Sequence, residues 1–139
     1  MKKALFAFVM TVNLCVALAI APVHAQSRDA LVVNVPFAFN VGQQTLPAGK
    51  YTLVRGSSIL SPGVWTIRGE DAHAMLLANP GNDETGQVDP KLIFNRYGDT
   101  RFLATISAPS GRDYTVPRSH AERVASRSTA HETIAVLAK

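Results

Sequence analysis

Residues 91–108 read KLIFNRYGDTRFLATISA, and the fold turns on how this stretch is read. Leu92 and Phe94 recur every second residue before Tyr97-Gly98-Asp99, and Phe102, Ala104 and Ile106 do so after it. Period two places side chains on one face of a strand, whereas a helix would repeat its apolar residues at three and four. Glycine and aspartate are residues that tight turns select. The stretch therefore predicts an antiparallel hairpin, with strands over 91–96 and 100–108.

Upstream, the same pattern continues. Residues 64–68 and 73–79 read as a second hairpin joined through Gly69-Glu70-Asp71-Ala72, a loop length common between antiparallel strands. Val33, Val35, Phe37 and Phe39 share one face of a first strand. Pro36 has no N–H to give to a ladder, which makes that strand an edge or a bulged one. Leu46-Pro47-Ala48-Gly49 reads as a turn, and 50–55 as the strand that follows it. Residues 79–90 are polar, bracketed by glycine and proline, and read as a long loop carrying Asp83, Glu84 and Asp89. A last short strand is placed within 111–117. The fold class is mainly β: a small antiparallel barrel or sandwich, a meander of hairpins with a C-terminal α-helix. Phe37, Phe94 and Phe102 are expected inside, as is Trp65, the single tryptophan.

Downstream, Ser119-His120-Ala121-Glu122 fits a capping box at a helix start. The helix is predicted to run to about Leu137. Its apolar side offers Ala121, Val124, Ala125 and Ala135, with Ser128 and Glu132 intruding, so it is expected to dock shallowly, project or await a partner. Deleting 119–139 is accordingly expected to leave a folded β domain.

At the other end, Met1, Lys2 and Lys3 precede an apolar run over 4–21, broken only by Thr11 and Asn13, and Val23-His24-Ala25 forms a small-residue cleavage site. These are the parts of a secretory signal peptide, removed after Ala25. A retained anchor is the competing reading, because the run has about the minimum length of a spanning helix; Pro22 and the cleavage site favour removal. The organisation is thus 1–25 signal peptide, 26–117 antiparallel β domain and 118–139 C-terminal helix, in an exported, periplasmic or extracellular protein. The only cysteine, Cys15, leaves with the leader. Disulfides, thiol catalysis, cysteine-held zinc and iron–sulfur clusters are excluded from what remains. The formal net charge of +4 falls by the two units of Lys2 and Lys3, so there is no specific nucleic-acid signal, and a membrane is touched only through an uncleaved leader.

Two stretches carry a resemblance: Val35-Pro36-Phe37-Ala38-Phe39-Asn40-Val41-Gly42 leading to Leu46-Pro47-Ala48-Gly49-Lys50-Tyr51-Thr52, and Lys91-Leu92-Ile93-Phe94-Asn95-Arg96-Tyr97-Gly98-Asp99. They resemble uncharacterised small secreted proteins of soil acidobacteria, which share the order of leader, β region and polar C-terminal helix. The resemblance implies a compact extracytoplasmic β domain. It brings no activity, cofactor or catalytic residue.

Among candidate sites, Asn95, Arg96, Tyr97 and Asp99 form the densest polar cluster near a turn, a rim suited to a carboxylate, a sugar or a partner's backbone. Ordinary hairpin chemistry accounts for the same residues. His73 and Met75 share a strand face and could offer nitrogen and thioether to a soft metal, but two ligands are too few; Met75 reads as core and His73 as a strand end. Asp83, Glu84 and Asp89 lack the spacing of a calcium loop. Glu70 and Asp71 read as a solvated hairpin tip. His131-Glu132 has Ala135 where a zincin needs its second histidine, and neither a nucleophile elbow nor a phosphate-binding glycine loop occurs. Arg118, Arg123 and Arg127 are candidates to attract anionic lipid headgroups or polysaccharide, but Glu122 and Glu132 dilute the charge and favour a solvated face.

No catalytic residue, metal or cofactor is assigned. The expected function is a non-catalytic secreted or periplasmic β-module with an envelope or extracellular binding or structural role, its partner an envelope protein or polysaccharide. The alternative is a small secreted hydrolase of envelope or extracellular polymers, since catalytic carboxylates need no fixed sequence spacing.

Overall fold

Alternating apolar residues and turn glycines build two antiparallel sheets in the computed structural model, which describes residues 30–56, 63–83 and 89–139, at 82 and 83 the backbone only. The signal-peptide reading and Glu84 of the acidic loop lie outside the described residues. The first sheet holds four strands in the order β1 (Ala30–Val35), β4 (Gly49–Arg55), β5 (Val64–Arg68), β6 (His73–Leu77). Pro36 ends β1, which has only β4 as a full neighbour, so the missing N–H falls on an edge strand. The expected turn at Pro47-Ala48 and the expected hairpin between β5 and β6 are both present.

The second sheet runs β11 (His131–Leu137), β8 (Lys91–Tyr97), β9 (Thr100–Ser107), β10 (Arg112–Thr115), β7 (Asn79–Asp83). A small hairpin of β2 (Phe39–Val41) and β3 (Gln44–Leu46) adds to β9 through a parallel contact of Asn40 with Phe102. Gly98 turns the β8–β9 hairpin with φ +59, a conformation at the first position of a two-residue loop that glycine adopts without strain. The sheets face each other as a sandwich rather than closing into a barrel. One side is stapled where Val33 of β1 bridges Ala138 and Lys139 N–H donates to Val32 C=O at 2.9 Å.

Between the sheets lies the main core. Phe39 stands at its centre, edge-on to Tyr51 at 5.3 Å and to Phe94 at 5.2 Å, while Phe37, half-buried, also meets Phe94 at 5.2 Å. Trp65 is fully buried as expected, edge-on to Tyr114 at 5.1 Å. Phe102 is buried too, but in a different layer. A register shift between Ile93 and Phe94 skips Ala104, so Phe94 pairs with Leu103 and Phe102 pairs with Asn95 on the opposite, outer face. That bulge breaks the strict alternation on which Phe102 was assigned to the same side as Ile106.

Three further expectations are corrected. The helix α1 covers His120–Ser128 only; Thr129 is extended, and His131–Leu137, expected as its second half, is a strand paired with β8 along all seven residues. Ile134 opposite Phe94 and Val136 opposite Leu92 give this strand an inward apolar row, which a helix over the same residues would have scattered. The stretch 79–83, expected as loop, is the strand β7 at the end of the second sheet, where Pro80 can stand because an edge strand has ladder positions with no neighbour to bond. Gly81 permits its close approach to β10, since a Cβ there would stand 3.2 Å from Asp113 C=O. Met75, expected in the core, is 71% exposed on the outer face of the first sheet.

Candidate functional site

Asn95 and Tyr97 are two apart on β8, and alternation puts both on the outer face of the second sheet, beside Phe102 of β9. Helix α1 lies over this spot. Ser119 caps it as expected, accepting from Glu122 N–H at 3.2 Å through its Oγ. The Glu122 side chain is spent on the sheet: Asn95 Nδ2 donates to its Oε1 at 2.8 Å, and the Tyr97 hydroxyl donates to the same oxygen at 3.5 Å. Arg118 Nε stands 3.9 Å from that oxygen. Glu122 is the one helix residue that is buried, at 2% exposure. A buried carboxylate is tolerable only with such donors around it.

Tyr97 packs edge-on against Phe102 at 6.0 Å, with the His131 ring at 5.9 Å. Burial raises the pKa of its hydroxyl above the ordinary 10.0; the Glu122 charge and the hydrogen bond to it push the same way, against Arg118.

Arg96 faces the other way. It is directly opposite Arg101, a like-charge pair that would repel if both were free. Each is instead drawn off: Arg96 donates from Nε to Gly98 C=O at 2.7 Å and from Nη1 to Glu132 at 3.3 Å, while Arg101 lies 4.8 Å over the Phe37 ring and donates to Asp99 C=O at 3.1 Å. Asp99 sits exposed at the turn. The four residues singled out in the sequence are thus divided among the helix interface, the Glu132 pair and the turn. Beside Arg96 a shallow depression of about 220 Å³ is lined by Gly98, Thr129, Ala130 and Glu132.

Glu122 was seen in the sequence as half of a capping box; its role as the peg that fastens the helix was not. The available signal was that it is the only acid within α1. Its inward turn has an electrostatic consequence outside. With Glu122 buried and Glu132 on a strand at Arg96, no acid faces outward from α1, whose exposed surface presents Arg123, Arg127, His120 and Val124, with Arg118 just before it.

A second, wider depression of about 680 Å³ lies on the outer face of the first sheet, where Thr66, Arg68, Glu70, Asp71, His73 and Met75 line it. His73 begins β6 as expected. Among the described residues no three histidine, cysteine or acidic side chains are grouped to hold a metal ion, and no helix is long and apolar enough to cross a membrane. The chain matches no family model, no curated protein and no solved structure.

Proposed function

We propose that the protein is a non-catalytic secreted or periplasmic β-module that binds anionic polysaccharide of the envelope or extracellular matrix, exported by a leader that is cleaved after Ala25. The resemblance to small secreted acidobacterial proteins belongs to the same proposal. The observation that carries the binding reading is the inward turn of Glu122. A helix with an acid among its arginines is ordinarily a solvated, mixed-charge face; here the acid is withdrawn onto the sheet with Arg118 beside it, and Arg123 and Arg127, about one helical turn apart, remain exposed with no acid on their face. Such a face attracts a polyanion through several weak contacts, each screened by salt and additive along a polymer.

Titration of the protein with polygalacturonate, and with neutral dextran as a control, tests the reading by calorimetry. Polygalacturonate should bind, weaken as salt rises, and lose affinity in the Arg123→Gln, Arg127→Gln double variant. Equal binding to dextran, or none to polygalacturonate, would overturn it. Release of reducing ends from the polymer would replace the module by a hydrolase.

A further inference from the structure

Arg68 on β5 stands directly opposite His73 on β6, and Thr66 directly opposite Met75. Ile67 and Ala74 between them are buried, so alternation turns these four side chains to the outer face of the first sheet. With Glu70 and Asp71 of the connecting loop they line the depression of about 680 Å³. That volume falls among pockets that hold small molecules. The backbone around it is held from three sides. Gly69 N–H donates to Ala72 C=O at 2.7 Å, which closes the loop carrying the two acids. The Tyr51 ring supports Gly69, where a Cβ would stand 2.6 Å from its Cε1, and the Tyr51 hydroxyl is itself tied to Pro47 C=O at 2.6 Å. Gln44 Nε2 reaches over from β3 to donate to His73 C=O at 2.9 Å. A site built on fixed backbone loses little affinity to ordering.

Opposite charges this near on a hairpin ordinarily pair with each other. Among the described residues, neither Arg68 nor Glu70, Asp71 or His73 is ion-paired, unlike Arg96 with Glu132. One concavity thus presents a guanidinium and two carboxylates that no protein group neutralises. We propose that it binds a small zwitterion, a short peptide with free ends, whose carboxylate meets Arg68 and the His73 ring while its ammonium meets Glu70 and Asp71.

The two signs together select the ligand. A polyanion is repelled by the acids and a simple cation by Arg68, whereas a molecule charged at both ends satisfies both groups. A guanidinium matches a carboxylate through two parallel N–H···O bonds, and an ammonium has three donors to share between two carboxylates. Glu70 follows Arg68 by two residues, at most about 7 Å of chain, and two residues is also the reach between the ends of a dipeptide. Met75, 71% exposed, offers an apolar surface to a side chain between those ends. The site lies on the side of the sandwich away from α1, so it does not depend on the polyanion reading of that helix.

Amide NMR of the full chain, titrated with alanyl-leucine, tests the site. Saturating shifts should be confined to residues 66–75. N-acetyl-alanyl-leucine and alanyl-leucinamide each lack one charge, and each should bind about tenfold more weakly, the worth of one charged hydrogen bond. Arg68→Gln should bind alanyl-leucine and its amide alike, and the Glu70→Gln, Asp71→Asn double variant should cease to distinguish the acetylated dipeptide. Both variants should melt with the parent, because the replaced side chains are exposed. Arg123→Gln with Arg127→Gln should leave dipeptide binding intact, which separates this site from the polyanion face. Absence of saturating shifts overturns the proposal. So do equal affinities for the free and the capped dipeptides, or a preference for the free carboxylate that survives Arg68→Gln.

Discussion

Asn95 on β8 and Glu122 on α1, 27 residues apart in sequence, meet across a 2.8 Å hydrogen bond that fastens the helix to the outer face of the sheet. The helix contributes no other buried side chain, so its position depends on this polar peg more than on apolar area. Glu122→Ala should cost about 1–3 kcal/mol, because the Asn95 amide and the Tyr97 hydroxyl lose their acceptor in a buried place. Glu122→Gln keeps a carbonyl oxygen for both and should cost less. Urea unfolding followed by the fluorescence of Trp65, which is fully buried in the main core, measures both. Equal losses for the two variants would show that the ionised charge, rather than the acceptor, holds the helix.

Tyr97 gives the same interface an alkaline limit. Burial, and then the neighbouring Glu122 charge, raise its hydroxyl above the ordinary 10.0, so the folded chain favours the neutral phenol. A group whose folded pKa exceeds its unfolded one contributes its stability in full below the unfolded value and loses it as pH rises through the folded value. Stability should therefore decline above about pH 10. Tyr97→Phe should shallow that decline without removing it, since Tyr51 is raised as well, by burial and then by Asp71. Tyrosinate absorbance against pH, compared between the parent and the variant, checks the assignment.

The hairpins were legible in the sequence because turn chemistry and period two agree there: β5 and β6 flank Gly69-Glu70-Asp71-Ala72, and β8 and β9 flank Gly98. The start of α1 was legible for the same local reason, a serine poised to accept from the third amide beyond it. What could not be read off is non-local. The bulge at Ala104 moves Phe102 to the outer layer, and nothing in the sequence near Ala104 announces it. The second half of the expected helix is a strand because β8 offers it an open edge, although Thr133, Ile134 and Val136 are β-branched and hinted at this. The polar cluster Asn95, Arg96, Tyr97, Asp99 was found as residues and not as an arrangement, since strand alternation sends its members to opposite faces.

Two phenylalanines that look equivalent in sequence should behave differently. Phe94→Ala empties the centre of the main core and should cost about 3–5 kcal/mol. Phe37, half-buried under Arg101, should cost about 1–3 kcal/mol on truncation. Phe102→Ala acts beneath α1, against Tyr97, so its loss should be less than additive with that of Glu122→Ala, whereas Phe94→Ala and Glu122→Ala should add. Double-mutant cycles from urea unfolding provide the comparison. Additivity at both sites would mean that Phe102 does not share a layer with the helix.

Removing the C-terminal segment tests which part of it belongs to the fold. A weakly amphipathic helix would be dispensable, but β11 lies along the whole of β8, sends Ile134 and Val136 inward, and leads to the Ala138 and Lys139 contacts with β1 that staple the two sheets. Deleting 130–139 should therefore expose the β8 edge and open that side of the sandwich. Native amide exchange should quicken throughout Lys91–Tyr97, and the melting temperature should fall steeply, in contrast to the modest loss that a peripheral helix implies. Ile134→Ala, which keeps the backbone pairing and removes one inward contact, should cost about 1–2 kcal/mol, the lower end for a half-buried isoleucine. If the deletion left the exchange of β8 unchanged, β11 would be an ornament on a self-sufficient sheet, and the stability of the sandwich would have to come from its remaining strands alone.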